Sequence, residues 1–560
     1  MSRPSRPRTA HRIAALALAA GAVSSAACGR DRTTRAGSSA VVVATPADAD
    51  QLIPPLVATA QGKQVVDMLF DYLAAPADPV VTVGDAGFRP QLARRWTWAP
   101  DSLSIAFELD PRAHFHDGTP VRARDVRFSY ALFTDTTAGS LHASDYAGID
   151  SVSVRDSLTA VVWWHKRTPE QFFQIAYNLA VMPEHLLGAL PRATLATSPF
   201  AAHPVGSGRY RFGAWEHRRQ LTLLADSTNY RGRPHFDRVV WTVTGDPTSA
   251  LASVLSGQAD VIESVRGEGF TKAEQSPRVR TVEYGSLDYA YLAFNQRARD
   301  GRGASPVFAD RAARVAFTQA VDRAAVVSNV LGPLGRVALG PFTRVQPTAD
   351  TTLRQIAYDT AAAARALDAL GWRVVGASHV RARGGRPLAV SLLVPAASTP
   401  RMRLAVLLQE QLARVGVRVN VDAADPATFT DRLHKGDFDM ALNLWRTDPS
   451  PTTLRGAWGT PRGEDVGANV GHYANAAFDV TLDSATAEFD TERRTALVRR
   501  AYQTIVDDAP AMWLYEPRNV AAVRRDLRPV AMRADAWWAG LADWRGANDA
   551  PRTVAVATRR

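Results

Sequence analysis

Cysteine is all but missing: among 560 residues the one thiol is Cys28. With no second cysteine, no disulfide can form within the chain, and zinc sites built on paired thiolates are excluded. Stability must come from a core, which a chain of this length can bury. Lysine is nearly as scarce, at positions 63, 166, 272 and 435 only, so the formal charge of +11 is carried almost wholly by arginine. No dense basic block with interleaved aromatics occurs, and nucleic acid is not expected as a partner. No run of about 18 consecutive apolar residues, the length that would suggest a membrane-spanning helix, is found. The His-Glu-x-x-His, Walker A and Gly-x-Ser-x-Gly motifs are absent too, which removes the commonest zinc-hydrolase, P-loop and serine-hydrolase readings. His114, His116 and Asp117 lie close together but complete no metal-ligand set. Neither metal nor cofactor is expected.

What is present begins at the N-terminus. Arg3, Arg6, Arg8 and Arg12 precede the uncharged residues 13–23, and the small residues Ser24, Ser25, Ala26 and Ala27 lead to Cys28. A basic start, a short apolar stretch and a small-residue cleavage site make a secretion signal. A cysteine directly after such a site resembles a bacterial lipobox, although Ser25 stands where a lipobox usually has Leu. The expectation is an exported chain held to a membrane by lipid on Cys28, facing the periplasm or the cell exterior. Residues 29–39, rich in Gly, Arg, Thr and Ser, suit a flexible tether.

Beyond residue 40 the pattern alternates between strands and helices, which argues for a mixed α/β protein. Val41, Val42 and Val43 read as a buried strand. Phe107 and Leu109 alternate with acidic residues in an edge-like pattern. Asp310, Asp322 and Asp359 can cap helices that follow them. Residues 401–415 place Met402, Ala405, Leu408 and Leu412 on one face, with Gly416 as terminator. Alternation predicts strands at 417–421 and 438–444, and residues 552–560 read as a loose tail.

One block is more specific. Phe115-His116-Asp117-Gly118-Thr119-Pro120 is followed by Asp125-Val126-Arg127-Phe128-Ser129-Tyr130. After it, in order, come Val181-Met182-Pro183-Glu184-His185, Pro204-Val205-Gly206-Ser207-Gly208, Asn229-Tyr230-Arg231-Gly232, Gly257-Gln258-Ala259-Asp260, Arg314-Val315 with Asp322-Arg323, and Asp508-Ala509-Pro510. This series resembles the family 5 extracellular solute-binding proteins, the peptide- and nickel-binding components of ABC importers. One departure is Arg122, where the family usually has a Thr that caps the next helix; that cap is expected to be lost.

The resemblance implies an α/β, two-lobed periplasmic-binding-protein-like fold (type II, cluster C) with an extra subdomain inserted in the first lobe. The expected divisions are a signal peptide at 1–27, a lipidated tether at 28–40, first-lobe segments at 41–74 and 201–290, the inserted subdomain at 75–200, the second lobe at 291–510, and a first-lobe return with the tail at 511–560. A monomer with ligand between the lobes is implied, passing that ligand to an ABC permease and its ATPase without making or breaking a bond.

In the family's peptide binders a Trp-x-x-Asp segment meets the ligand's ammonium group. Here it corresponds to Leu444-Trp445-Arg446-Thr447-Asp448-Pro449. The resemblance therefore makes Asp448 an anchor and Trp445 a cleft wall, unless Asp448 only shapes a turn with Pro449. Arg446 offers a partner for an acidic ligand group. Asp48 and Gln51, in the loop after the first strand, are further candidates to face the cleft. The loop at 394–400 lacks the Arg that dipeptide binders carry there, so the ligand expected is a peptide or peptide-like solute other than a strict dipeptide. A ligand-binding sensor or interaction protein without transport stays open as an alternative. An extracellular hydrolase on the same fold has no catalytic set to support it.

Overall fold

The computed structural model describes residues 39–376, 379–450, 452–461 and 467–546. Cys28, the signal segment and the tail at 552–560 lie outside these residues. Two mixed sheets and one antiparallel sheet organise the chain.

The first sheet has seven strands, with Ala40–Thr45 near its middle. That strand pairs in parallel with Arg238–Val243 on one side and Val261–Ile262 on the other. Val41 and Val43 are fully buried, as a strand deep within a covered sheet requires. The second sheet has six strands, in the order Gly335–Val337, Ala511–Pro517, Asp288–Phe294, Met440–Arg446, Ala389–Pro395 and Arg418–Ala424. Both of its faces are covered. Ala290, Leu292 and Phe294 enter one core, while Tyr289, Tyr291 and Ala293 enter another, the two-residue period of a strand buried on both sides.

The third sheet joins Ala93–Trp98, Ser104–Leu109, Thr159–Trp164 and Ile149–Val154. Phe107 and Leu109 share one continuous core with Val41 and Val43 of the first sheet. The edge-like reading of Phe107 to Asp110 is corrected, because the strand that carries Phe107 and Leu109 lies between two partners. Alternation reports which face of a strand is buried, not its place in the sheet.

The chain passes from the first sheet to the second between Glu283 and Asp288, and back between Pro517 and Val520. The two crossings run side by side, with the Tyr284 N–H donating to the Asn519 carbonyl at 3.1 Å. The return differs from the expected one at residue 511: Ala511–Pro517 still pairs with Asp288–Phe294 in the second sheet. The run from Ala511 to Tyr515 is buried throughout, and such a run suits a strand of either sheet.

Local details explain the sequence blocks. Helix Ala123–Phe133 starts after Arg122, whose side chain makes no cap bond. Its backbone N–H instead donates to Asp125 Oδ2 at 2.8 Å. The carboxylate half of a capping box thus survives without its Thr. The imidazole of His116 clamps the Val205 to Gly208 turn, with Nε2 bonded to the Gly208 carbonyl at 2.9 Å and Nδ1 to the Gly206 N–H at 3.1 Å. That pattern needs a neutral ring that donates from Nε2 and accepts at Nδ1, and burial lowers its pKa in the same sense. The glycines are required by close approach: a Cβ at Gly206 would lie 1.9 Å from the Leu69 carbonyl oxygen, and one at Gly208 would lie 2.1 Å from that of Met68. This block is structural, and among the described residues no group of three metal-ligating side chains occurs.

Candidate functional site

A cavity of about 560 Å³ lies beside the crossings, lined from the units of all three sheets. Its walls come from distant parts of the chain: Glu263 and Arg266 after the first sheet, Tyr284 on one crossing, Asp288 and Arg446 on paired strands of the second sheet, and Trp537 near the C-terminus. Aromatic walls with a few charged groups suit a polar ligand that carries apolar side chains. The charges are ordered. Glu263 accepts the Trp537 indole N–H at 2.9 Å, which fixes both groups on the first side. Arg446 stands 3.5 Å from Asp288, while Arg266 has no ion pair among the described residues.

The strand Met440–Arg446 carries two of the expected residues to its end, and Asp448 follows in the adjoining loop. Arg446 lines the cavity. Trp445 is half-buried and packs against the aromatic core of the second sheet. Asp448 sits one residue before Pro449, which lines a smaller cavity of about 150 Å³. The two cavities share Tyr284, Ala534 and Asp535. Gln346 donates to the Asp448 carbonyl at 2.9 Å. The Asp448 carboxylate accepts the Ser450 N–H at 2.6 Å and the Thr453 hydroxyl at 3.3 Å through Oδ1; Oδ2 has no partner among the described residues. Burial pushes this carboxyl up to about 7, against the bond from Ser450 and with help from the nearby Glu170 charge.

Asp48 and Gln51 are placed elsewhere. Asp48 accepts the Trp215 indole N–H at 3.0 Å and the Arg218 N–H at 2.7 Å, tying down a hairpin of the first sheet. Gln51 donates to the Ala196 carbonyl at 3.3 Å. Neither lines the cavity. Trp445, Arg446 and Asp448 thus share one short stretch at a strand end, of which Arg446 alone lines the larger cavity, and Asp48 and Gln51 lie apart from it. Sequence reasoning missed Glu263, Arg266, Tyr284, Asp288 and Trp537. The Trp537-Trp538 doublet was a visible signal, since two adjacent indoles in a C-terminal loop invite a binding role; the others gave none.

No described helix is long and apolar enough to cross a membrane. Residues 87–464 match the family model described as "Bacterial extracellular solute-binding proteins, family 5 Middle". The oligopeptide-binding protein AppA of Bacillus subtilis is 26% identical over 434 residues, covering 76% of this chain and 77% of that one. The structure of the Bacillus subtilis AppA protein, in complex with a nonapeptide, superposes with a TM-score of 0.73 at 22% identity, covering 90% of this chain and 98% of the other. That of NikA from Brucella suis, in complex with Fe(III)-EDTA, gives a TM-score of 0.77 at 19% identity over 90% of this chain and 99% of that one. These likenesses establish the periplasmic-binding-protein-like α/β fold.

Proposed function

We propose, for a chain that belongs to the bacterial extracellular solute-binding proteins of family 5, that its solute is a peptide or peptide-like molecule taken up between the two large sheets and delivered to an ABC permease and its ATPase. The cavity between the sheets carries this reading: it is large enough for several residues, walled by aromatics, and bears both acidic and basic groups. Asp448 Oδ2 receives the ligand ammonium, Trp445 backs that site, and Arg446 with Arg266 faces ligand carboxylates. Charge-assisted bonds of this kind orient a zwitterion while the aromatic walls tolerate varied side chains. The named peptide binder among the relatives supports the same choice. No bond of the ligand is made or broken, and the chain acts as a monomer. Cys28 carries the lipid that holds it outside the cytoplasm.

Native mass spectrometry of the chain purified without refolding tests both parts. Co-purified peptides support the ligand class, and a bound species without an amino group overturns it. In the same spectrum, a chain that begins at Cys28 with acyl mass supports the anchor, and a differently cut N-terminus rejects it.

The raised pKa of Asp448 makes a further expectation. An ammonium group pairs only with the ionised carboxylate. Affinity is then full above about pH 7 and falls as pH drops through that value. From pH 8 to pH 6 the loss is about tenfold. Calorimetry with the co-purified peptide checks this, and a flat profile would remove Asp448 from the ammonium site.

A further inference from the structure

Residues 167–170 link strand Thr159–Trp164 to helix Gln171–Asn178 in the unit built on the third sheet. Glu170 occupies the N-cap position of that helix, where an acidic residue ordinarily accepts helix N–H groups, yet its side chain makes no cap bond. Its carboxylate turns outward. It accepts the Thr82 hydroxyl from its own unit, and from across the cleft it accepts the hydroxyls of Ser450 and Thr452 and the Arg494 guanidinium, the last at 2.7 Å. Four donors on one carboxylate saturate it.

The partner across the cleft depends on this contact. The Arg494 side chain is 2% exposed, and its Nε and Nη1 have no hydrogen-bond partner among the described residues. Glu170 is its one ion-pair partner among the described residues. Arg494 lies on helix Thr491–Asp508, which packs on the second sheet through Val498, Tyr502 and Ile505. A second contact bridges the same gap: the Arg167 guanidinium lies 4.3 Å from the Phe489 ring centroid, a cation–π distance. Arg167 belongs to the first unit, and Phe489 precedes the Arg494 helix by two residues. Ser450 and Thr452 follow Asp448 closely in the chain, so the contact also reaches the ammonium site proposed above.

We propose that residues 167–170 form a latch that closes the cleft without ligand, with Glu170 as its bolt. Every group in it belongs to the protein, so its contacts form whenever the two sides meet. Opening the cleft hydrates both charges, which offsets part of the loss of the ion pair. The two hydroxyl bonds and the cation–π contact tip the balance toward the shut form. The inference needs no particular ligand.

Small-angle scattering of the full-length chain carrying Cys28→Ser, which removes the lipidation site, tests it. The comparison is with the same chain also carrying Glu170→Gln and Arg494→Met, a pair that leaves neither charge buried alone. The expected result is a rise of about 1 Å in radius of gyration over the ~24 Å of a compact chain of this length, with unchanged far-ultraviolet circular dichroism. Superimposable scattering curves would overturn the latch. Should the double change unfold the protein, Arg167→Ala with Phe489→Ala decides, since neither side chain is buried in a core. A smaller rise in the same direction is then expected, and no rise rejects the proposal.

Discussion

Replacing Arg314 with alanine is expected to cost about 4 kcal/mol of stability, because several buried carbonyls would lose a shared charged donor. Arg314 is 4% exposed. Its guanidinium donates to the carbonyls of Phe308 at 2.8 Å, Ala309 at 3.2 Å, Asp508 at 2.9 Å and Ala509 at 3.1 Å. It thereby welds the end of helix Thr491–Asp508 to the loop before helix Arg311–Gln319. Burial lowers its pKa, so the charge is retained against a desolvation cost and the carbonyl bonds are what compensate it. Lysine should recover less than half of the loss, since one ammonium cannot span a planar fork of five N–H donors. Urea denaturation followed by circular dichroism measures both. An alanine variant with the wild-type midpoint would mean that these carbonyls find water or other donors.

Replacing Asp448 with alanine is expected to weaken peptide binding by about 3 kcal/mol, more than a hundredfold, if its carboxylate holds the ligand ammonium. Truncating one member of a desolvated charge pair leaves the other stranded, and most of the cost arises there. N-acetylated peptide should bind the wild type about as poorly as free peptide binds the variant, because it lacks the charge. Asp448 also braces the turn before helix Thr452–Trp458, accepting the Ser450 N–H and the Thr453 hydroxyl. The affinity measurement separates the two roles: loss of the turn bonds alone would move stability by about 1 kcal/mol and leave the preference for a free amino group intact. Equal affinities of variant and wild type would reduce Asp448 to a turn residue beside Pro449.

The helices at Arg311–Gln319, Arg323–Leu331 and Thr360–Ala369 were legible because each is announced locally. An aspartate at the cap accepts the N–H of Ala312, Ala325 or Ala362, and those bonds span two or three residues. The family resemblance was legible for a related reason. His116, Gly206 and Gly208 are demanded by a close backbone approach that few other residues could make, so their types and order survive in the sequence. Arg446 was legible as a cavity residue because it sits at a strand end within the stretch that the resemblance singled out.

The binding walls were not legible to the same degree. Glu263 meets Trp537 across 274 residues, and Arg446 meets Asp288 across 158. Neither pair leaves a periodicity or a motif. Asp48 shows the converse: its loop position suggested a cleft, but the nearest hairpin supplied donors first. By itself, then, the sequence determined the alternation of elements, the capped helices and the family, all of which rest on bonds or steric limits within short stretches of chain. The tertiary structure alone decided which strand returns to which sheet, which charges face one another across the cavity, and that Glu170 reaches Arg494, because those outcomes depend on where the packing of three sheets brings residues that are far apart in the chain.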